Sequence, residues 1–202
     1  MNYPNFDFEE KFWNEKKLVA GLDEAGRGCI AGPVFAAAVI FPINFESAIP
    51  INDSKKLSHK KRTEFLDYIA WSSVDHKFSS ISNEIIDEIN ILHAPMKAMH
   101  DSVNSLSQKP SHLLIDGNYF KENGIEHTKI TGGDSKSVTI AAASIVAKVK
   151  RDLWMIEVAD KEFPEYGFKD HKGYGTKKHY EAIEKYGICK YHRLSFLKKY
   201  GY

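Results

Sequence analysis

Cysteine is nearly absent. Only Cys29 and Cys189 occur, with no Cys-x-x-Cys pair or other metal-ligand spacing, so a disulfide scaffold and a thiolate metal centre are excluded, and both read as reduced thiols. Long hydrophobic runs are missing too. The longest, near residues 34–41, is far too short to span a bilayer. The N-terminus carries Phe6, Asp7, Phe8, Glu9 and Glu10 in place of a basic and then apolar signal. A soluble, cytoplasmic chain is the expectation. There is no internal repeat or low-complexity segment, and no extended exposed apolar pattern that demands a second subunit, so a monomer is expected. Nor does either sign of charge dominate: 28 Lys and Arg stand against 27 Asp and Glu. Any grip on a polyanion must therefore come from local patches.

Two such patches exist. Residues 171–202 hold eight Lys/Arg against two Glu, and residues 53–62 hold five Lys/Arg against one Asp. Each suits a polyanion held at one face, with a solvated tail and a solvated helix face as the alternatives. A chain of 202 residues, 43% hydrophobic, fits one globular domain with at most a small appendage.

The pattern of elements is mixed. Residues 17–22 and 34–41 read as strands, the second fully buried because it lacks alternation, with Gly32-Pro33 punctuating the link. Ser58 is placed to cap a helix running to about residue 71. Residues 77–81 suggest a strand, 82–88 and 91–106 suggest helices, and Pro95 suits the first turn of the second. Residues 112–115 and 126–130 are short strands. Residues 135–160 read as one long helix whose Ala141-Ala142-Ala143-Ser144 segment allows close approach to a sheet. Thr176 and Gly187 bracket a last helix over 177–186. This predicts an α/β domain with a mixed central β-sheet flanked by helices, plus a helical C-terminal segment.

Acids recur where strands end. Asp23-Glu24 follows an apolar run and precedes Gly26-Arg27-Gly28; Asp116 follows Ile115 and precedes Gly117; Asp134 follows Gly132-Gly133. For each acid alone, a turn or cap residue is the alternative. Carboxylates converging at one sheet edge repel unless a cation sits among them. With no Cys or His in support, hard oxygen ligands select Mg²⁺ or Mn²⁺, and two such ions about 4 Å apart would clamp a phosphoryl transfer. The glycines around Arg27 offer open backbone N–H groups to an anionic or hydroxylated ligand.

The order of motifs resembles the ribonuclease HII family. The resemblance rests on Asp23-Glu24-Ala25-Gly26-Arg27-Gly28, Ala31-Gly32-Pro33-Val34, Asp53-Ser54-Lys55-Lys56-Leu57-Ser58 and Asn90-Ile91-Leu92-His93-Ala94. It continues through Ile115-Asp116-Gly117-Asn118, Gly133-Asp134-Ser135-Lys136-Ser137, and Ile140 through Val149. It ends with Arg151-Asp152, His171-Lys172-Gly173-Tyr174-Gly175-Thr176 and His192-Arg193. It implies an RNase H-like fold over residues 18–165, with 1–17 as an extension and 166–202 as a basic, substrate-binding segment. It also implies cleavage of RNA paired with or joined to DNA, 5′ to embedded ribonucleotides, leaving 3′-hydroxyl and 5′-phosphate ends. Metal-holding catalytic acids map onto Asp23, Glu24, Asp116 and Asp134, with Mg²⁺ or Mn²⁺ as cofactor. Gly26, Arg27 and Gly28 map onto the element that reads the ribose 2′-hydroxyl, and Tyr174 onto the tyrosine that packs on the next deoxyribose. The expected partners are RNA–DNA hybrids and DNA duplexes containing ribonucleotides.

Other residues stay open between two readings. Lys55 and Lys56 are phosphate contacts or a solvated turn. Ser144 and Lys148, one helical turn apart, face the same groove or decorate a helix. His171 shuttles protons or makes a structural hydrogen bond. Phe6, Phe8, Phe12 and Trp13 pack as a flap or meet a partner, and Tyr200 and Tyr202 dock the tail or fray. Cys29 replaces a proline common in the family, and its nearness to the acids suggests a thiol open to oxidation. Two alternatives to the main reading are a ribonuclease HIII-like enzyme without junction specificity and a non-catalytic hybrid-binding module. The first typically adds an N-terminal domain for which residues 1–17 are too few. The second would bind without Mg²⁺ or Mn²⁺.

Overall fold

A computed structural model describes residues 3–198 and 201 of the chain; Lys199, Tyr200 and Tyr202 lie outside the described residues. Helix α1 (Asp7–Trp13) leads into β1 (Val19–Ala25) and β2 (Val34–Ile40), followed by α2 (His59–Ser72), β3 (Asp75–Ile81), α3 (Asn83–Ile89) and α4 (Ala94–Asn104). Strands β4 (His112–Asp116) and β5 (Glu126–Ile130) precede α5 (Val138–Trp154). A π-helical stretch, Met155–Ala159, carries α5 into α6 (Asp160–Glu162); α7 (Phe168–His171), α8 (Lys177–Tyr186) and α9 (Leu194–Leu197) follow. No helix among the described residues is long and apolar enough to cross a membrane.

The five strands form one mixed sheet in the order β3-β2-β1-β4-β5. β1 pairs antiparallel with β2 and parallel with β4, and β4 pairs parallel with β5. Every residue of β2 is buried, as its unbroken apolar run requires of a strand covered on both faces. One face packs against a cluster that includes Val19, Ala37, Leu114 and the Ala-rich part of α5; the other packs Leu22, Ala38 and Ile115 against residues of α3 and α4 such as Ile86 and Met99. A third cluster joins Ile30 and Met155 to Phe168, Ile183 and Leu197, so the C-terminal helices share a core with the loop after β1.

Caps place the elements. Ser58, Ser82, Ser137 and Thr176 each accept a hydrogen bond from the first turn of the helix they precede. The long helix therefore starts at Val138, after a short 3-10 turn at Gly133–Ser135. Gly21 lies directly under it: a Cβ there would come within 2.4 Å of the Thr139 carbonyl carbon. Helix and strand backbones meet at that point. α1 is clasped to the same helix end, because Glu9 is fully buried and its Oε1 accepts from Ser137 Oγ (2.6 Å) and Thr139 N (3.0 Å). Phe6, Phe8 and Phe12 pack on the adjoining core, and Trp13 is part of it.

Two arginines tie the C-terminal half to the loop after β1. Arg193 donates to the carbonyls of Gly32 (2.9 Å), Arg27 (3.1 Å) and Gly26 (2.8 Å). Arg151 donates to those of Pro33 (2.9 Å), Lys172 (2.9 Å) and Ala31 (3.2 Å). Both are fully buried. Burial, and then the neighbouring Arg151, lower the Arg193 guanidinium to about 10, which still leaves it charged at neutral pH. A lysine has one nitrogen and cannot span three carbonyls. Arg193→Lys should therefore lower stability by roughly 2–4 kcal/mol in urea melts, since orphaned buried acceptors cost about 1–3 kcal/mol each; an unchanged midpoint would show that water replaces those bonds.

Candidate active site

The parallel pairing of β1 and β4 sets Leu22 against Ile115, so Asp23 and Asp116 come next, side by side. Crevices at the carboxyl ends of parallel strands are the usual ligand sites of α/β sheets. β5 ends at the same edge, and Thr131-Gly132-Gly133 turns its chain back. Gly132 has φ of +64°, and Gly133 N donates to Asp116 Oδ1 at 2.6 Å. A Cβ on Gly133 would lie 2.6 Å from Ile140 Cδ1. The turn delivers Asp134 to the other two acids. One carboxylate oxygen from each of Asp23, Asp116 and Asp134 lies within 4.8 Å of the others. These acids lie at the strand end or beyond it, except that Asp23 and Glu24 fall inside β1, which runs three residues past the predicted end at residue 22. Pairing of Asp23 with Ala37 and Glu24 with Ala36 holds them in the ladder.

Glu24 is not part of that close trio, although it interacts electrostatically with Asp23 and Asp116. It lies 3.8 Å from Arg27 Nη1 and lines a neighbouring cavity with Asp116, Pro95, Met96 and Tyr119. A second cavity here, about 230 Å³, is lined by Asp23, Glu24, Ala25, Gly26, Arg27, Gly28, Ser54, Lys55, Asp116, Ser144, Lys148 and Tyr174. Almost every residue predicted for the site meets here. Asp134 adjoins it through Lys55, whose Nζ lies 3.3 Å from Asp134 Oδ2. Lys56 is exposed and does not line it.

Burial governs the charges. It raises the carboxyls of Asp23, Glu24 and Asp134, most strongly Asp23, which also faces Glu24 and Asp116. Burial alone would lower the Lys55 ammonium, but Asp134 and Asp23 lift it above its ordinary value. Ser144 hydrogen-bonds Asp23 and lies 2.9 Å from Ser54 Oγ, linking α5 to the loop that carries Lys55. Arg62 Nη1 holds that loop from α2 through the Ser54 and Leu57 carbonyls. Three ligands drawn only from carboxylates fit a hard divalent cation such as Mg²⁺ or Mn²⁺ and not zinc.

The Gly-Arg-Gly segment divides its labour. Gly26 has φ of +95°, and a Cβ there would lie 1.9 Å from Arg151 Nε, so only glycine fits. Gly28 is exposed, and a Cβ there would meet nothing within 4 Å. The N–H groups of Arg27 and Gly28 have no hydrogen-bond partner among the described residues. Tyr174 is 43% exposed. Its ring lies 5.6 Å from Lys148 Nζ and 6.0 Å from the Arg151 guanidinium carbon. Lys148 also pairs with Asp152 at 2.7 Å.

The structure bears on two further sequence readings. Cys29 is fully buried, with Tyr174 against its thiol; this removes the exposure that oxidation needs. His171 does not line the cavity. Its Nε2 donates to the Tyr166 carbonyl (2.9 Å) and its Nδ1 accepts from Gly173 N (3.2 Å), so it is structural. Arg151, Arg193 and Ser54 gain positioning roles that their motifs alone did not reveal.

Because the folded acids bind protons more tightly than free carboxyls, their contribution to stability falls as pH rises upward from about 4. A divalent cation should relieve this, so Mg²⁺ or Mn²⁺ should raise Tm more at pH 8 than at pH 5.5. Asp23→Asn should raise the metal-free Tm by roughly 2–4 °C, the shift expected from about 1 kcal/mol in a chain of this size, and abolish the metal-dependent gain. Differential scanning calorimetry across pH reads both effects.

A family model described as Ribonuclease HII matches residues 20–199. Ribonuclease HII of Endomicrobium trichonymphae is 53% identical over 195 residues, covering 95% of this chain and 91% of that protein. Its counterpart from Cytophaga hutchinsonii is 51% identical over 187 residues, covering 92% of each. The crystal structure of ribonuclease H2 from Pyrococcus horikoshii OT3 superposes with a TM-score of 0.73 at 25% identity, covering 88% of this chain and 93% of that one. The mixed sheet and its flanking helices are thus an RNase H-like fold. With a match of that extent and identity, the chain belongs to the ribonuclease HII family and is a ribonuclease H endonuclease.

Proposed function

We propose that this enzyme cuts on the 5′ side of a ribonucleotide embedded in duplex DNA, as well as within RNA–DNA hybrids, and that it does so with a divalent cation. The observation that carries the reading is one cavity, lined by two of the three converging acids, the open Gly-Arg-Gly backbone and the Tyr174 ring. Asp23, Asp116 and Asp134 would hold the cation, with Glu24 at the cavity wall. When bound, such an ion supplies the positive charge that activates water and offsets charge developing on a phosphate.

The chain's own residues do the selecting. The unpaired N–H groups of Arg27 and Gly28, with no side chain over Gly28, suit contact with a 2′-hydroxyl, the group that separates RNA from DNA. The planar Tyr174 ring suits a sugar lacking that hydroxyl. Lys55, held by its loop against Asp134, and Lys148, beside the ring, suit phosphate contact. Lys56, exposed next to Lys55, belongs to the same basic loop. Ser144 keeps Asp23 oriented and its own loop contact intact. Within the basic C-terminal segment (166–202), Lys172 feels both Lys148 and Asp152 and so stands near the cavity rim, whereas Lys177 and Lys190 pair with Glu181 and Glu162.

An end-labelled duplex with one ribonucleotide tests the reading. A single cut 5′ to it is expected with Mg²⁺ or Mn²⁺ and none with chelator. Asp116→Asn should lose roughly 10²-fold or more in rate, as typically follows loss of one preorganised charged group. Cleavage of a long hybrid without the junction cut would retain the acids and discard the roles of Arg27 and Tyr174. Substrate affinity should fall steeply between about 50 and 200 mM salt, and a flat response would remove the lysines from the interface.

A further inference from the structure

Three imidazoles that the proposed reaction does not use cluster next to the Tyr174 backbone. His179 and His192 are buried and His171 is half-buried; the rings of His171 and His179 stack at 4.2 Å. His179 Nδ1 lies 2.9 Å from the Tyr174 carbonyl. A carbonyl only accepts, so Nδ1 carries the proton and Nε2 of the neutral ring is bare. His192 Nε2, 3.1 Å away, must then donate to it. That leaves His192 Nδ1 bare, and it accepts from Cys189 N at 2.9 Å. Burial keeps both rings neutral, lowering His179 to about 3 and His192 to about 4. The result is a directional chain from the Cys189 amide through two rings to the Tyr174 backbone.

The tyrosine ring is 43% exposed; it lies against the Cys29 thiol and near the cations of Lys148 and Arg151. Its backbone is held by hydrogen bonds. Tyr174 N donates to His171 O (3.0 Å), and the Tyr174 carbonyl receives both Thr176 N (2.8 Å) and His179 Nδ1. Gly173 next to it accepts from Ile30 N (2.9 Å) and donates to His171 Nδ1. We propose that His179 and His192 are positioning residues that set the Tyr174 ring against the sugar, and so contribute to the choice between a ribonucleotide–DNA junction and a continuous hybrid. This rests on the role given to Tyr174 above.

The test compares kcat/KM on a single-ribonucleotide duplex with that on a long hybrid, for variants whose thermal melts show a folded protein. His179→Leu should lower the junction-to-hybrid ratio by roughly 10-fold, a scale that sub-ångström to 1 Å misplacement produces. His179→Asn, whose amide nitrogen stands where Nδ1 was, should restore most of it. Combined with Tyr174→Ala, His179→Leu should cost nothing further, because it acts through that ring. If His179→Leu does not fold, His192→Met breaks the chain one ring earlier and is read against His192→Gln. Nitrogen-15 NMR should find the Nδ1–H tautomer at His179 and the Nε2–H tautomer at His192. Equal losses on both substrates, additivity with Tyr174→Ala, or the opposite tautomers would overturn the inference alone. A ratio unchanged in Tyr174→Ala would instead overturn the role of Tyr174, and this inference with it.

Discussion

Two buried guanidiniums satisfied by backbone carbonyls hold the Gly-Arg-Gly loop in place. Arg151 and Arg193 reach six carbonyls between them, five on the loop from Gly26 to Pro33 and one on Lys172. Desolvating a cation is costly unless its donors are used, and here they are used by backbone carbonyls. Arginine suits this because its five N–H groups diverge in a plane. The loop cannot relax without stranding buried charge. Arg27 and Gly28 are thereby presented outward with their amides open.

The acids pose the opposite problem. Asp23, Asp116 and Asp134 are brought together by strand register and a Gly-Gly turn, so the fold forces like charges into a partly dry space. The raised proton affinity of Asp23 and Asp134 and the Lys55 ammonium leaning on Asp134 are two responses of the protein to that crowding. The scaffold must supply enough stability elsewhere to keep them there. The fully buried β2 and the Ala-rich face of α5 do so.

Much of this was legible beforehand. The unbroken apolar run of β2, the caps at Ser58 and Thr176 and the stop at Gly187 are local signals, and each fell where the structure has it. The four acids and the Gly-Arg-Gly segment stood out because charge beside an apolar strand is costly. The end of β1 was misplaced because charged residues read as an exit from the sheet, whereas pairing with Ala36 and Ala37 carries the strand to Ala25. The roles of Arg151 and Arg193 were illegible for a different reason: their partners are carbonyls, and a sequence carries no record of where carbonyls point. The burial of Cys29 was hidden in the same way, since it depends on Tyr174 folding over it from far along the chain. The packing of Phe6, Phe8, Phe12 and Trp13 as a flap was one of the two readings open in the sequence; the clasp that fixes it, Glu9 on the Ser137 hydroxyl, was not legible because it joins residues far apart in the chain.

Gly21 shows how far such dependence reaches. Its missing methyl lets α5 lie directly on β1, and Ser144, Lys148 and Arg151 all ride on that helix at about 1.5 Å of rise per residue. The helix behaves as a rigid rail whose height above the sheet is set near its first turn. Raising it there would shift a hydroxyl, an ammonium and a guanidinium together, each by an amount fixed by lever geometry. The gap between the acids on the sheet and the groups on the rail is therefore one adjustable dimension of the enzyme, and its thickness is decided by a single hydrogen atom standing where other residues carry carbon.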